Sequence, residues 1–172
     1  MNILPILDNL TPFELDHHEH SVFSQWQYTT YFAGVIRDGI SAHISISNTD
    51  ATSTFHIPAS PYVRNFGYSG IPDLHTFSTV SDAPQTLAQV EALITGDVQA
   101  FQSSGTVPAS VPTIEVISNH TLIQLRVTAD SINKGFNSDL YALQGRHGAF
   151  WTGAAWAPDD SSLLWAFTQI AA

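Results

Sequence analysis

Apolar residues recur along this chain at two different periods, and the alternation between them sketches the elements. The first pattern is helical. Thr11-Pro12-Phe13-Glu14 has the form of a capping box with Pro at the first helical position, which predicts a helix from Thr11 to about Gln27. Phe13, His17, His20, Phe23 and Gln27 would share one stripe, with Asp16 and Glu19 toward water. "YTTYFAGVIR" then reads as a strand rich in aromatic and β-branched residues, closed by Asp38-Gly39. "SAHISIS" is its expected hairpin partner, with Ala42, Ile44 and Ile46 facing one way and His43 and Ser45 the other.

From 48 to 75 the glycines and prolines predict a looped region, with short strands near Tyr62–Phe66 and His75–Val80. A second helix follows. Asp82 is expected to cap it, with Pro84 in its first turn and Gln85 reaching back, and Leu87, Val90, Ile94, Val98 and Phe101 form its apolar stripe. Gly96 weakens it by about 1 kcal/mol relative to Ala, and Gly105 stops it. "TIEVIS" and "TLIQLRV" read as strands around a kink at Asn119-His120. A short helix around Asp139–Gln144, a strand at Ala149–Thr152 and a last helix from Asp160 complete the pattern. These elements predict an α+β fold, a mixed and largely antiparallel sheet with helices on one side, in a single domain over residues 1–172. No repeat, low-complexity tract or linker interrupts it.

Composition narrows the function. The chain is 44% apolar and only 12% charged, with a net charge of −10 from 15 acids against five bases, Arg37, Arg64, Arg126, Lys134 and Arg146. Bases scattered singly argue against nucleic acid and against an anionic membrane surface as partners. The absence of cysteine excludes disulfides and thiolate metal sites. "MNILPILDNL" lacks the features of a signal peptide, and no run reaches the roughly 20 apolar residues of a membrane span, so a soluble, cytoplasmic protein is expected.

The carboxyl-terminal third carries a resemblance. "LYALQGRHGAFWTGAAWAPDDSSLLWAFT" resembles the end of fungal flavin-dependent amine-oxidase-like oxidoreductases, the cyclopiazonate dehydrogenase-like group. "LDNLTPFELDHHEHSVFSQWQYTTYFAGVIRDGI" and "SNHTLIQLRVTADSINKGFNSDLYALQG" resemble that family's substrate domain, so the similarity covers nearly the whole chain and is weakest between 48 and 110. The resemblance implies the fold of that substrate domain, with the carboxyl-terminal turn and helix near the flavin. Such flavoproteins bind the pyrophosphate through G-x-G-x-x-G after a strand. This sequence has no such motif; "GYSG" at 67–70 has two glycines and no helical pattern after it, so no cofactor is expected. Trp156 is followed by Ala157-Pro158 where the relatives carry a His, a local departure from the family pattern.

The candidate residues each have two readings. Asp159, Asp160, Ser161 and Ser162 precede "LLWAF" and either cap the last helix or mark a site at its amino end. Asp16 and His20, spaced i, i+4 in "DHHEH", are either a helical pair of metal ligands or part of a solvated face; no second cluster supports a metal, and none is expected. Of the remaining histidines, His43, His56, His75, His120 and His147, the residues expected to act as acid or base are His120 and His43, together with Tyr31. Tyr28, Phe32, Trp151 and Trp156 are expected to line an apolar substrate chamber with Asp160 and Ser161, the alternative being that the aromatic residues, with Trp165, fill a core. Ser-His-Asp, P-loop and paired-carboxylate signatures are absent.

Three functions are consistent with these observations. The expected one is a cofactor-independent enzyme of fungal secondary metabolism, directing isomerisation, cyclisation or cycloaddition of a hydrophobic polycyclic small molecule, as a homodimer. The others are the substrate half of a split FAD-dependent oxidoreductase and a non-catalytic binding protein for a hydrophobic metabolite.

Overall fold

The structure, a computed structural model, describes residues 6–121, 123–157 and 160–171. In chain order the elements are α1 (Leu7–Leu10), α2 (His17–Phe23), β1 (Gln27–Arg37), β2 (Ile46–Ser47), β3 (Tyr62–Tyr68) and β4 (Leu74–Ser81). There follow α3 (Leu87–Ser103), β5 (Thr113–Asn119), β6 (Ile123–Arg126), α4 (Ala129–Asn133), α5 (Phe136–Tyr141) and α6 (Ser161–Ala171). The fold is α+β, as the periodicity predicts. The contacts gather into two compact units: residues 28–124, which hold most of the sheet and α3, and the two chain ends, 1–27 with 125–172. Among the described residues no helix is long and apolar enough to cross a membrane.

The sheet has the order β2-β3-β4-β1-β5, with β6 also pairing to β1. β1 is an interior strand, antiparallel to β4 on one side and β5 on the other. Period two sends Phe32, Gly34 and Ile36 to one face and Tyr31, Ala33 and Val35 to the other. The first face is sealed. Phe32 and Ile36, Val63 and Phe66 of β3, and Phe77 of β4 close over Val90, Ile94 and Val98 of α3. The apolar stripe of α3 is therefore as predicted, although Leu87 at its start is exposed.

Two predicted helix starts are wrong in position for the same reason. α3 begins after Thr86, not Asp82: the Thr86 hydroxyl accepts from Gln89 N–H, and Gln89 Oε1 accepts from Thr86 N–H at 2.8 Å. That reciprocal box satisfies two orphan amides, whereas Asp82 N–H is already spent on Ser60 Oγ. Likewise α2 starts after Asp16, whose carboxylate accepts from Glu19 N–H while Glu19 returns the bond to Asp16 N–H. Thr11–Glu14 forms a turn instead, closed by Phe13 N–H to Leu10 C=O at 2.9 Å. In consequence Glu19, expected in water, is buried beside Val22 and Phe23, and Phe13 is exposed.

The predicted hairpin does not form either. Asp38 N–H donates to Asp73 C=O, joining β1 to the turn before β4, and residues 41–45 are irregular with His43 at φ 67°. Only Ile46–Ser47 pair, and with β3. The strands near Tyr62–Phe66 and His75–Val80 are present and form the β3–β4 hairpin.

In the other unit, Leu10, Val22, Phe23, Phe136, Leu140, Leu143 and Trp156 form a separate core, with Trp26, Trp151 and Phe167 packed against it. The expected strand at Ala149–Thr152 is irregular. Both backbone polar groups of Trp151 are taken by the Gln144 amide, at 2.7 and 2.8 Å, so they have no strand to pair with.

Gly34 is the tightest point of the sheet. A Cβ there would lie 2.2 Å from the Val116 carbonyl oxygen and 2.5 Å from the Phe77 ring, both far inside contact distance. Gly34→Ala should lower stability to urea by about 3 kcal/mol or more. Gly96→Ala, in α3 with nothing within 4 Å, should raise it by about 1 kcal/mol. Equal effects from the two substitutions would mean that the close packing around Gly34 does not hold the sheet.

Candidate functional site

A row of residues crosses four strands on the sheet face opposite α3. Ala33 of β1 pairs with Ser78 of β4, Ser78 with Asn65 of β3, and Asn65 with Ser47 of β2. Together with Tyr31, Asn48, Arg64, Thr76 and Phe77 they line a cleft of about 660 Å³. That volume suits a small organic molecule.

The cleft is built by a register shift. Val63 pairs with Thr79 and Asn65 with Ser78, so Arg64 is an extra residue in β3. In a regular strand Arg64 and Asn65 would point to opposite faces; the bulge lets both line the same cleft. Asn48 N–H donates to Arg64 C=O at 3.0 Å and fixes the bulged backbone. Ser78 Oγ donates to Asn65 Oδ1 at 2.7 Å, which leaves the Asn65 amide nitrogen to present donors.

The sequence-predicted residues fall in different places. Tyr31 lines the cleft, and His120 is beside it: the rings are 6.3 Å apart, edge to face, and His120 N–H donates to Tyr31 C=O at 2.8 Å. His43 instead packs on Tyr68 at 4.8 Å, and Tyr68 lies 5.7 Å from His75. His75 is fully buried, with Nε2 3.0 Å from Ile44 C=O; a carbonyl only accepts, so Nε2 carries the proton. Tyr28 is exposed at the start of β1, and Phe32 is buried against α3 rather than in the cleft.

Trp151 and Trp156 stack at 5.8 Å within the core of the second unit. Trp156 donates from Nε1 to Leu140 C=O, and its own carbonyl accepts from Tyr141 Oη at 2.7 Å. Asp160 accepts from Ser162 and Leu163 N–H, each at 3.0 Å, and so caps α6. Ser161 lines a smaller apolar groove with Thr152, Leu164, Trp165 and Thr168. Asp159 lies outside the described residues. Asn65, Ser78, Thr76, Ser47 and Arg64 are absent from the sequence-predicted set. The signal for Arg64 and Asn65 was the spacing in "YVRNFGY", where two polar residues separate the buried Val63 and Phe66 and break the alternation.

Asp16 is occupied structurally. It caps α2 and binds the Arg146 guanidinium and His147 Nε2, the latter at 3.0 Å. Among the described residues no group of three His, Asp or Glu gathers as a metal set would. The Arg146 guanidinium, then the Glu19 amide and His147, hold the Asp16 carboxyl well below the usual carboxylate range.

No family model matches the chain. It is 32% identical over 170 residues to β-cyclopiazonate dehydrogenase of Aspergillus flavus, covering 98% of this chain and 37% of that protein. It is 32% identical to the FAD-dependent oxidoreductase dbaF of Emericella nidulans, over 96% of this chain and 36% of the relative. Against the FAD-dependent oxidoreductase oblC of Cochliobolus heterostrophus the identity is 30%, over 97% and 36%. The fold is shared with the CLA-producing fatty acid isomerase from P. acnes, at a TM-score of 0.67 and 16% identity, over 88% of this chain and 35% of that one. The chain spans little more than a third of the length of these relatives, and over nearly all of its own length it is a partial, substrate-domain-like match to fungal FAD-dependent oxidoreductases.

The residues present do not fit the dinucleotide of that family. The sequence has no G-x-G-x-x-G turn, and the amides at the start of α6 are filled by the Asp160 carboxylate, which would repel a phosphate.

The Asp16 cluster makes a testable contribution. A carboxyl with a depressed folded-state pKa stabilises above its unfolded value of about 3.9, and that stability is lost as pH falls. Asp16→Asn should therefore unfold more easily at pH 7 and show a shallower loss of stability below about pH 4 than the parent. Parallel pH profiles for the two proteins would remove the ion cluster from the account.

Proposed function

We propose that this chain is the substrate-handling part of an enzyme of fungal secondary metabolism, and that it binds a small organic substrate in the sheet-face cleft. The observation that carries the reading is the pairing of Tyr31, on the cleft, with His120 beside it. A phenol and an imidazole on one side of a binding cleft can take a proton from one carbon of a substrate and return it at another. That exchange needs no oxidant, so isomerisation or cyclisation is within reach of these residues. The cleft supplies hydroxyl and amide groups to orient the substrate. Tyr31 donates to a developing oxyanion, and His120 holds or releases the moving proton.

A second reading is favoured by the relatives, which are FAD-dependent and nearly three times as long. In it the same cleft presents substrate to a flavin held by residues outside this chain, and the net reaction is a dehydrogenation.

Mass separates the two. The metabolite that accumulates when the gene is deleted should be converted by the purified chain, without added cofactor, to a product of identical mass. His120→Ala and Tyr31→Phe should each slow this by about 10²- to 10⁴-fold. A product two hydrogens lighter, formed only with FAD and a flavoprotein partner, would replace the first reading by the second. No conversion under either condition would contradict both.

A further inference from the structure

We infer that Arg64 makes the cleft selective for an organic carboxylate; this rests on the reading of the cleft as the substrate site. The chain carries a net charge of −10, yet no lining residue of the cleft is an acid. Arg64 is the one formal charge there. Its guanidinium has no hydrogen-bond or ion-pair partner among the described residues, whereas the guanidinium of Arg37 pairs with Glu115 and that of Arg146 with Asp16.

The sheet holds two bulges with a charged extra residue, Glu115 in β5 and Arg64 in β3. Where β1 meets β5 the register shifts between Val35 and Ile36, Glu115 is the extra residue, and Arg37 neutralises it. The other bulge leaves its extra residue, Arg64, unanswered among the residues that line the cleft. Asn65, the next residue along the chain, lines the same cleft, and with its amide oxygen accepting from Ser78 it presents N–H donors. The guanidinium fork and the amide N–H₂ that share this cleft are both donors. Their complement is a pair of anionic oxygens, as in a carboxylate, bound through charge-assisted and bidentate hydrogen bonds. A neutral, purely apolar ligand would leave these donors unpaired.

The test uses 2-naphthoate and its neutral amide, 2-naphthamide, as probes, with ¹⁵N chemical shifts of the intact chain as the readout. Naphthoate should move the amides of Tyr31, Ala33, Ser47, Asn65 and Ser78, and bind about tenfold more tightly than naphthamide. Arg64→Gln should abolish that preference, and Arg64→Lys, which keeps the charge without the fork, should retain part of it. Arg64 is exposed, so neither variant disturbs a core. Equal binding of both probes at the cleft, unchanged in Arg64→Gln, would overturn the carboxylate inference and leave the substrate cleft standing. If neither probe moves the cleft amides, the reading of the cleft as the substrate site falls with it.

Discussion

The sheet depends on one close approach. β1 has partners on both edges, and at Gly34 the Phe77 ring from β4 and the Val116 carbonyl from β5 occupy the space where a side chain would begin. The strands can meet there only because position 34 has no Cβ. That contact draws Phe77 onto the α3 side, where it joins Phe32, Ile36 and the stripe of α3 in a sealed core. With Phe32, Ile36, Val63, Phe66 and Phe77 turned to that face, the row Ala33, Ser78, Asn65 and Ser47 on the opposite face is small and polar. The cleft is the other side of the same packing decision.

Its chemistry follows from a second constraint, the bulge in β3. A regular strand would put Asn65 and Arg64 on opposite faces of the sheet; one extra residue lets both line the cleft that Ser78 and Ser47 also line. Tyr31 enters from β1, and His120 is held against it by a backbone bond just beyond the end of β5. The site therefore draws on five segments of the chain and owes its position to pairing register rather than to any contiguous motif.

That origin explains what the sequence could and could not disclose. The stripe Val90, Ile94, Val98 was legible because helical period and burial coincide, and β1, β3 and β4 were legible because β-branched and aromatic residues cluster there. The helix starts were displaced because Thr86-x-x-Gln89 and Asp16-x-x-Glu19 form reciprocal boxes that outcompete nearby caps. The 41–47 segment alternates like a strand, yet the Asp38 to Asp73 bond commits β1 elsewhere, which no local pattern reveals. Of the candidate site, Tyr31 and His120 were singled out and stand together. Arg64 and Asn65 were missed because a polar pair inside a strand looks like an interruption until the register shows a bulge. Trp151 and Trp156 were singled out for their chemistry and are placed in a core, whereas Trp165 is exposed and Asp160 closes the last helix.

The central claim is that substrate lies on the sheet face across from α3. Isotope-filtered NOEs from the bound metabolite to protein methyl groups test it most directly. The account predicts contacts to the methyls of Ala33 and Thr76, which line the cleft. NOEs confined to Leu164 and the Trp165 ring, in the groove beside α6, would contradict it.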